Sequence, residues 1–298
     1  MKIASIPIEI EDDRLLCVVG PTASGKTELA IRICEEVDGE IVSADSVQIY
    51  RGFDIGTGKP TAQERARARH HLVDVADATE PWDAARWAAE AERVIDDVRS
   101  RGKVPVVCGG TYLWVRALVF GLAAAPGGSP ELRRRLEAEA REHGRAALHA
   151  RLAQVDPEAA ARLSPNDFVR VQRALEVFEL TGRRLSDLQR EHRASPARHC
   201  VRLVGVRRSG EALDQRIAAR AAQWLRAGWV EEVRGLVARG MRGTRPMSSV
   251  GYRQVLDYID GRMAESELVG AITRATRVFA RRQRTWLRDE PVVWVDPG

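Results

Sequence analysis

Eight residues near the amino terminus have the types and the spacing of a phosphate-binding loop. The segment GPTASGKT, residues 20–27, matches the pattern G-x-x-x-x-G-K-[ST] between an apolar run and a helical pattern. Its glycines let backbone N–H groups approach phosphate oxygens, its lysine contacts a distal phosphate, and its last hydroxyl can ligate Mg²⁺. The flanking elements favour this interpretation over an ordinary strand-to-helix turn. The predicted diphosphate-binding residues are Gly20, Thr22, Ala23, Ser24, Gly25, Lys26 and Thr27, and Thr27 is the predicted metal ligand.

The loop alone does not identify the molecule that carries the phosphates. The chain has no N-K-x-D guanine signature, and the apolar run 104–108 continues into Gly109, Gly110 and Thr111 instead of ending in a Walker B acid. The nearest candidate carboxylate is Asp45, which follows a second apolar run. Its position leaves a general base, a turn cap and a Mg²⁺ ligand through water all open.

Alternating strands and helices are predicted to position these residues. Periodicity predicts strands at 14–19, 40–44, 104–108, 201–206 and 291–295, and helices at 28–37, 82–101, 214–239 and 265–287. After a linker at 126–130, the segment 131–193 is dense in Ala, Arg, Glu and Leu at helical spacing. We therefore expect an α/β fold: a P-loop NTPase-like parallel sheet flanked by helices, formed by residues 1–122 and 198–298, with a helical insertion domain at 123–197.

Composition and charge limit the class of protein. The net charge is +5, and from residue 201 onward there are 18 Arg and no Lys against 11 Asp plus Glu, which suggests an anionic partner. Residues 1–13 lack the features of a targeting segment, and the apolar stretch 113–125 is too short to span a bilayer. Cys17, Cys34, Cys108 and Cys200 are widely spaced and are expected to be buried reduced thiols. A cytoplasmic enzyme is the expected class.

Six further segments follow the phosphate loop in the order of one known family. Together they cover nearly the whole chain, and the chain resembles the bacterial tRNA dimethylallyltransferases, also called tRNA isopentenyltransferases. The segments are DSVQIYRG with DIGTGKP (45–60), HHLVD (70–74), GGT (109–111), QRALEV (172–177), VGYRQ (250–254) and RQRTWL (282–287). The family usually has Leu-Tyr after Gly-Gly-Thr where this chain has Leu113-Trp114, and Ala is common at the position of Gly58.

The resemblance implies a reaction and a role for each candidate residue. It implies transfer of the dimethylallyl group of dimethylallyl diphosphate to N6 of the adenine just 3′ of the anticodon, with release of pyrophosphate from the P-loop. Asp45 would accept the N6 proton, because a delocalised amine is a poor nucleophile. Lys26, Thr27 with Mg²⁺, and Arg220 would stabilise the leaving group. Thr111 would bind the target nucleotide. A solvated helix arginine and a helix N-cap are the competing interpretations of Arg220 and Thr111.

The implied partners are dimethylallyl diphosphate and the anticodon stem-loop of tRNA, with no membrane and no obligate protein partner. The segment 274–288 contains six arginines and no acid beside Trp286, which favours phosphate contact and base stacking over a merely solvated face. Intramolecular packing is the alternative for residues 172–177 and 248–254. The predicted tRNA-binding residues are Asp45, Ser46, Val47, Gln48, Thr111, Gln172, Arg173, Glu176, Ser249, Val250, Gly251, Tyr252, Arg253, Arg281, Arg282, Gln283, Arg284, Thr285, Trp286 and Arg288.

Two other functions compete with prenyl transfer. A small-molecule P-loop kinase would share the fold, but it would need a Walker B acid and a lid of catalytic arginines, and the sequence shows neither. A non-catalytic RNA-binding protein would have no use for the set Lys26, Thr27 and Asp45. We interpret His70 and His71 as loop structure, and Trp82, Trp87, Trp224, Trp229 and Trp294 as core or domain-contact residues.

Overall fold

The computed structural model describes residues 2–3, 8–9 and 14–296 of the chain. The prediction for residues 1–13 therefore lies largely outside the described residues. The strands are β1 (Lys2–Ile3), β2 (Ile8–Glu9), β3 (Leu15–Val19), β4 (Gly39–Ser43), β5 (His70–His71), β6 (Val104–Gly109), β7 (Val201–Val206) and β8 (Val292–Val295). The helices are α1 (Lys26–Val37), α2 (Ala62–Arg67), α3 (Ala84–Ser100), α4 (Tyr112–Phe120), α5 (Pro130–His143), α6 (Arg145–Val155), α7 (Pro157–Arg162), α8 (Phe168–Thr181), α9 (Leu185–Arg193), α10 (Gly210–Arg226), α11 (Trp229–Ala238), α12 (Tyr252–Ile259) and α13 (Glu265–Trp286).

A six-stranded parallel sheet organises the first unit of the chain. Its strand order is β5-β4-β6-β3-β7-β8, and every pair of neighbours is parallel. All five residues of β3 are buried, as expected for a central strand covered on both faces. The carboxyl ends of parallel strands meet at one edge, which is where open α/β sheets place their sites. The P-loop, Asp45, Gly110-Thr111 and Arg207-Arg208 therefore all leave the sheet at the same edge.

The predicted fold class and most predicted elements are confirmed, and two predictions need correction. The segment 214–239 is two helices, α10 and α11, because Gly228 adopts φ +95° between them and ends the first helix. Cys17, Cys34 and Cys108 are buried, but Cys200 is exposed just before β7, so the prediction that all four thiols are buried is wrong for Cys200. Burial raises the pKa of Cys17 to about 12.

The chain divides into two compact units, Met1–Val119 with Arg198–Gly298, and Phe120–Ala197. The expected insertion began at residue 123. In the second unit, helices α5 to α9 surround a core that includes Leu136, Leu148 and Leu152. The predicted linker leads into α5, where Ser129 caps the helix and Pro130 occupies its first turn. No helix of the described residues is long and apolar enough to cross a membrane.

Candidate active site

The P-loop joins β3 to α1 through backbone conformations that favour glycine. Gly20 and Gly25 have φ values of 153° and 102°, and Ala23 is in the left-handed region at 65°. A Cβ on Gly20 would lie 3.1 Å from Ser24 Oγ. That hydroxyl is buried and has no hydrogen-bond partner among the described residues. The loop thus combines the free N–H groups of a helix start with a buried hydroxyl, which fits a bound phosphate.

Side chains from the β7–α10 loop, α10 and α13 hold the P-loop from outside. Arg208 Nε donates to Ser24 O at 2.6 Å, and Arg216 Nε donates to Ala23 O at 3.0 Å. Gln283 of α13 accepts from Thr22 N at 2.8 Å and donates to Gly110 O at 2.9 Å. Since these bonds occupy the loop carbonyls, the positive ends of the loop dipoles remain available to an anion.

Two cations without a carboxylate partner lie beside the loop. Arg220 donates to Thr22 Oγ1 at 2.5 Å, and neither Lys26 nor Arg220 forms an ion pair within the described part of the chain. Desolvation lowers the pKa of Lys26, and desolvation together with Arg216 lowers the pKa of Arg220 to about 10. A bound diphosphate would compensate both charges. Arg216 and Arg220 are four residues apart on α10, and both reach the P-loop.

Asp45 is held at the carboxyl end of β4 by its own turn. Its Oδ1 accepts hydrogen bonds from the N–H groups of Val47 at 2.9 Å and Gln48 at 3.3 Å. Among the described residues no group donates to Oδ2, so one carboxylate oxygen is available to a substrate. The turn-cap and proton-acceptor interpretations of Asp45 are therefore compatible, because different oxygens carry them.

Thr111 connects the ends of β4 and β6. Its Oγ1 accepts from Ser46 N at 3.1 Å and lies 3.3 Å from Ser46 Oγ. A Cβ on Gly109 would lie 2.1 Å from Ala44 O, so only glycine allows this close approach. Thr111 precedes α4, as an N-cap would, but its hydroxyl bonds to Ser46 instead of capping the helix.

Two cavities meet at Asp45. A polar cavity of about 70 Å³ is lined by Lys26, Thr27, Gln48 and other P-loop neighbours. An apolar cavity of about 280 Å³ is lined by Thr111, Trp224, Trp229, Ile217, Ile272, Phe279 and Val250. Asp45, Thr22 and Arg220 line both cavities. The site therefore places a phosphate compartment beside an apolar compartment, with one carboxylate at their junction.

The apolar wall was not predicted from the sequence, which assigned Trp224 and Trp229 only to packing. A Cβ on Gly56 or Gly251 would lie 2.1 Å or 2.3 Å from the Trp229 ring, so these glycines make room for the indole. Trp224 and Trp229 pack edge to face at 5.6 Å, and the Arg220 guanidinium lies 4.5 Å from the Trp224 ring centroid. Gly56 and Gly251 could be seen in the sequence, but their contact with Trp229 could not, because these residues are far apart along the chain.

A third cavity, of about 220 Å³, opens beside Thr111. Leu113, Phe279 and Trp286 line it and are 46%, 39% and 41% exposed, and Arg282 adds a positive charge. Exposed apolar and aromatic side chains next to a guanidinium are suited to stacking of nucleic-acid bases.

Several predicted tRNA-binding residues lie in the interior instead of on the surface. Glu176 is 0% exposed and accepts hydrogen bonds from Ser129 N, Arg133 and Arg173. Burial alone would raise the pKa of Glu176, but these bonds outweigh it and lower the pKa. Gln172 is also buried and donates to Arg133 O at 3.0 Å. Any contribution of Glu176 or Gln172 to RNA binding would act through the side chains they position.

Tyr252, Gln48 and Gln283, which were also predicted to bind tRNA, likewise form hydrogen bonds within the chain. Tyr252 is fully buried and donates to Glu232 Oε1 at 2.5 Å, whereas Val250 and Arg253 are exposed. Gln48 donates to Thr57 O and Gly58 O, and Gln283 connects the P-loop to Gly110. The polar atoms of Tyr252, Gln48 and Gln283 already form hydrogen bonds within the chain. These side chains are therefore not placed for direct RNA contact. Arg281, Arg284, Thr285 and Arg288 line a separate cavity.

The described residues contain no cluster of three or more His, Cys, Asp or Glu side chains that could hold a metal by themselves. The polar cavity does bring together the hydroxyl of Thr27 and the carboxylate of Asp45. One carboxylate and a hydroxyl, completed by substrate phosphates and water, is a donor set that Mg²⁺ accepts. The residues present therefore fit Mg²⁺ bound together with a diphosphate.

Comparisons with known proteins agree with this geometry. The profile of the IPP transferase family matches residues 48–290. The chain is 62% identical to a tRNA dimethylallyltransferase of Sorangium cellulosum over 94% of this chain and 90% of the relative. It is 47% identical to one of Geobacter metallireducens over 97% and 95%. The crystal structure of a tRNA isopentenylpyrophosphate transferase from Bacillus halodurans superposes with a TM-score of 0.70 at 34% identity, covering 96% of this chain and 90% of that one.

Proposed function

The chain belongs to the IPP transferase family, and from this membership we propose that it is a tRNA dimethylallyltransferase that prenylates tRNA. The proposed donor is dimethylallyl diphosphate. The proposed acceptor is N6 of the adenine that follows the anticodon on its 3′ side, and the second product is pyrophosphate. The proposal rests above all on the junction of a phosphate compartment and an apolar compartment at Asp45.

The two compartments match the two halves of the donor. The diphosphate would lie against the P-loop amides, Lys26 and Arg220, whose charges have no carboxylate partner in the described residues. The five-carbon chain would lie against Trp224 and Trp229, where burial of its apolar surface is favourable. The carbon that joins the two halves would then lie near Asp45, at the position where an acceptor nitrogen must approach.

The reaction forms a nitrogen–carbon bond, breaks a carbon–oxygen bond and moves one proton. The N6 lone pair attacks the first carbon of the prenyl chain, the carbon–oxygen bond to the diphosphate breaks, and the N6 proton passes to the free Oδ2 of Asp45. Negative charge develops on the diphosphate, where Lys26, Arg220 and the loop N–H groups already point. Since Gln283, Arg208 and Arg216 hold the backbone of the loop, little reorganisation of the loop is needed in the transition state.

We assign Mg²⁺ to the polar cavity, with Thr27 as the chain's own ligand and the substrate diphosphate and water as the others. When bound, the ion would neutralise part of the charge on the departing diphosphate. Thr27 Oγ fixes the place of that charge relative to Lys26, while Asp45 keeps its second oxygen for the proton.

The acceptor base would have to leave the stack of the anticodon loop to reach Asp45. Thr111 lies at the mouth of the apolar cavity, and the exposed Phe279 and Trp286 beside it offer faces on which neighbouring bases stack. We assign further tRNA contact to the helical unit through Arg173, which Glu176 orients.

The competing functions fit the site less well. A small-molecule kinase would need a second acid near the P-loop for its nucleotide-bound metal, but β6 runs into Gly110 and Thr111. In a kinase, the transferred phosphate would have to lie against the apolar wall formed by Trp224 and Trp229. A non-catalytic RNA-binding protein would gain nothing from a buried Lys26 with a pKa lowered by desolvation.

The decisive experiment is incubation of the purified protein with unmodified tRNA, dimethylallyl diphosphate and Mg²⁺, followed by mass analysis of the nucleosides. We expect a mass increase of one prenyl unit on adenosine and one pyrophosphate released per transfer. ATP in place of the prenyl donor is the matched control, and it should not be hydrolysed. If tRNA stimulates ATP turnover and adenosine gains no prenyl unit, the transferase proposal fails and an NTPase function replaces it.

A further inference from the structure

Lys59 is a buried lysine that the reaction proposed above does not use. It is one of four lysines among the 47 lysines and arginines of the chain, and its side chain is 5% exposed. Its ammonium donates to Tyr50 O at 2.6 Å, to Asp54 Oδ1 at 2.7 Å and to Asp74 Oδ1. An ammonium has three N–H groups, so none remains for a phosphate. Any contribution of Lys59 to the site must therefore act through the segments that it joins.

The three acceptors of Lys59 belong to segments that are apart along the chain. Tyr50 follows the turn after β4, Asp54 begins the loop 54–60, and Asp74 follows β5. Asp74 has a φ of 59°, a left-handed conformation that residues other than glycine keep only where their surroundings require it. Arg65 donates to the second carboxylate oxygen of Asp74 at 2.7 Å. Two cations thus fix the carboxylate that anchors the three segments.

The loop 54–60 forms part of the wall of the active site. Thr57 lines both the polar and the apolar cavity, and Gly58 lines the polar one. Glu232 accepts from two backbone N–H groups at the beginning of the loop. Lys59 holds the other end, so the segment that walls the cavities lies between two anchors.

Gln48 connects this loop to Asp45. Its Nε2 donates to two carbonyls of the loop 54–60, at 3.1 Å and 2.9 Å. Its backbone N–H donates to Asp45 Oδ1 at 3.3 Å, and its own carbonyl accepts from Asp74 N at 3.2 Å. The position of Gln48 therefore depends on two segments that Lys59 holds together.

We propose that Lys59 is a positioning residue for prenyl transfer, because its ammonium holds the loop 54–60 against the turn that carries Gln48 and so keeps Asp45 in place. This inference rests on the proposed function and goes beyond it, since Lys59 lines neither of the two cavities that meet at Asp45. A compact ammonium suits three separate acceptors in an enclosed place, whereas a planar guanidinium directs its donors differently. A lysine in a chain rich in arginine agrees with this requirement.

The test compares Lys59→Met with the matched control Lys103→Met. Methionine has an unbranched side chain without a donor. Lys103 also pairs with a carboxylate, that of Asp38 at 2.6 Å, but it precedes β6 near the amino ends of the strands, away from the site. We expect kcat per folded molecule of Lys59→Met to fall by about tenfold to a hundredfold, since a misplaced acceptor acts on the transition state. The control should keep the wild-type kcat.

Binding of inorganic pyrophosphate separates positioning from general damage. The P-loop is not among the segments that Lys59 joins, so the Kd of Lys59→Met for inorganic pyrophosphate should stay within about twofold of wild type. Thermal melting gives the folded fraction of each variant. If kcat per folded molecule is that of wild type, Lys59 serves only stability and the proposal fails.

Two double variants test how Lys59 acts. If it acts through Gln48, Lys59→Met with Gln48→Leu should be within about twofold of the slower single variant. Multiplied losses would contradict the connection through Gln48. Lys59→Met with Asp54→Asn restores the net charge of the cluster without restoring the tether, and it should stay as slow as Lys59→Met. A return to the wild-type rate would mean that unbalanced charge caused the loss, and it would overturn the proposal.

Hydrogen exchange tests the tether without any need for prenyl transfer. The amides of the loop 54–60 should exchange about tenfold faster in Lys59→Met than in the wild type, while those of the helical unit should not change. Faster exchange in this loop, with no prenyl transfer by the wild type, would contradict the proposed function and leave the tether supported. Unchanged exchange in the loop would overturn the inference.

Discussion

The arginines of the helical unit and those near the P-loop differ in what balances their charge. In the helical unit, Arg133 and Arg173 bind the buried Glu176, and Arg151 binds Glu139. Around the P-loop, Arg208, Arg216 and Arg220 donate to backbone and hydroxyl oxygens and form no ion pair among the described residues. Arginine therefore has two roles in this chain: it pairs with carboxylates in the helical unit, and near the P-loop it keeps a positive charge that no carboxylate balances.

This difference indicates where each unit should be sensitive to mutation. A paired arginine satisfies a carboxylate that the fold has already buried, so its loss should reduce stability. An arginine without an acidic partner keeps a positive potential ready for a ligand, so its loss should reduce binding or rate while the fold remains. Asp45 is the counterpart among the acids, because it lines both cavities and no arginine of the described residues is bonded to it.

The largest effect is expected from Asp45→Asn. The amide oxygen can still accept from Val47 and Gln48, so the turn is kept, but the proton acceptor is lost. We expect prenyl transfer to fall by about 10² or more with tRNA affinity within a few-fold of wild type. Asp96→Asn, at an exposed position of α3 that lines neither cavity, is the matched control, and its rate should be near wild type. Near-normal turnover by Asp45→Asn would rule out the general-base role.

A smaller loss is expected from Arg220→Ala, measured as kcat/KM for dimethylallyl diphosphate. Removing one charge from the diphosphate site should lower this ratio by roughly tenfold to a hundredfold. Arg220→Lys should recover only part of it, because an ammonium does not reproduce the bond to Thr22 or the stacking on Trp224. If Arg133→Ala reduces kcat/KM as strongly as Arg220→Ala does, the contrast between the two groups of arginines is wrong.

For Arg133→Ala itself we expect a loss of stability. Glu176 keeps Arg173 and Ser129 N, so the free energy of unfolding should fall by about 1 to 2 kcal/mol, measured by denaturant titration at pH 7. The pKa of Glu176 is lowered in the folded state, so its stabilising bonds are present above its unfolded pKa of about 4.3 and are lost as the pH falls below it. The difference between variant and wild type should therefore shrink in acid. A difference that grows below pH 4 would contradict this assignment.

The smallest effect, a change of preference, is expected from Trp224→Ala. Truncation of the ring extends the apolar cavity beside Arg220 and should improve the use of a ten-carbon allylic diphosphate several-fold relative to the five-carbon donor. Competition between the two donors, read by product mass, measures the ratio. Trp294→Ala, in the separate cavity lined by Arg281, Arg284 and Arg288, is the control and should not change this ratio. An unchanged ratio in Trp224→Ala would mean that the prenyl chain lies elsewhere.

Much of the fold was predictable because its signals are local. The P-loop pattern, the apolar strand runs and the helical periodicity each depend on neighbouring residues, and the parallel sheet follows from their alternation. Gly228 was a local signal too, although the expected helix 214–239 ran through it. Asp45 was a candidate because it directly follows a predicted strand, and Lys26 and Thr27 were candidates because they belong to the phosphate loop.

The sequence by itself determined the elements, the phosphate loop and the carboxylate beside it. Only the tertiary structure decided which side chains surround them: Trp229 fits against Gly56 and Gly251, Glu176 is enclosed by arginines, and α13 turns its arginines to two sides. These contacts join residues far apart in the chain, so no periodicity or spacing encodes them. They depend on close packing between elements, which selects one face of each helix only after the sheet has brought the elements together.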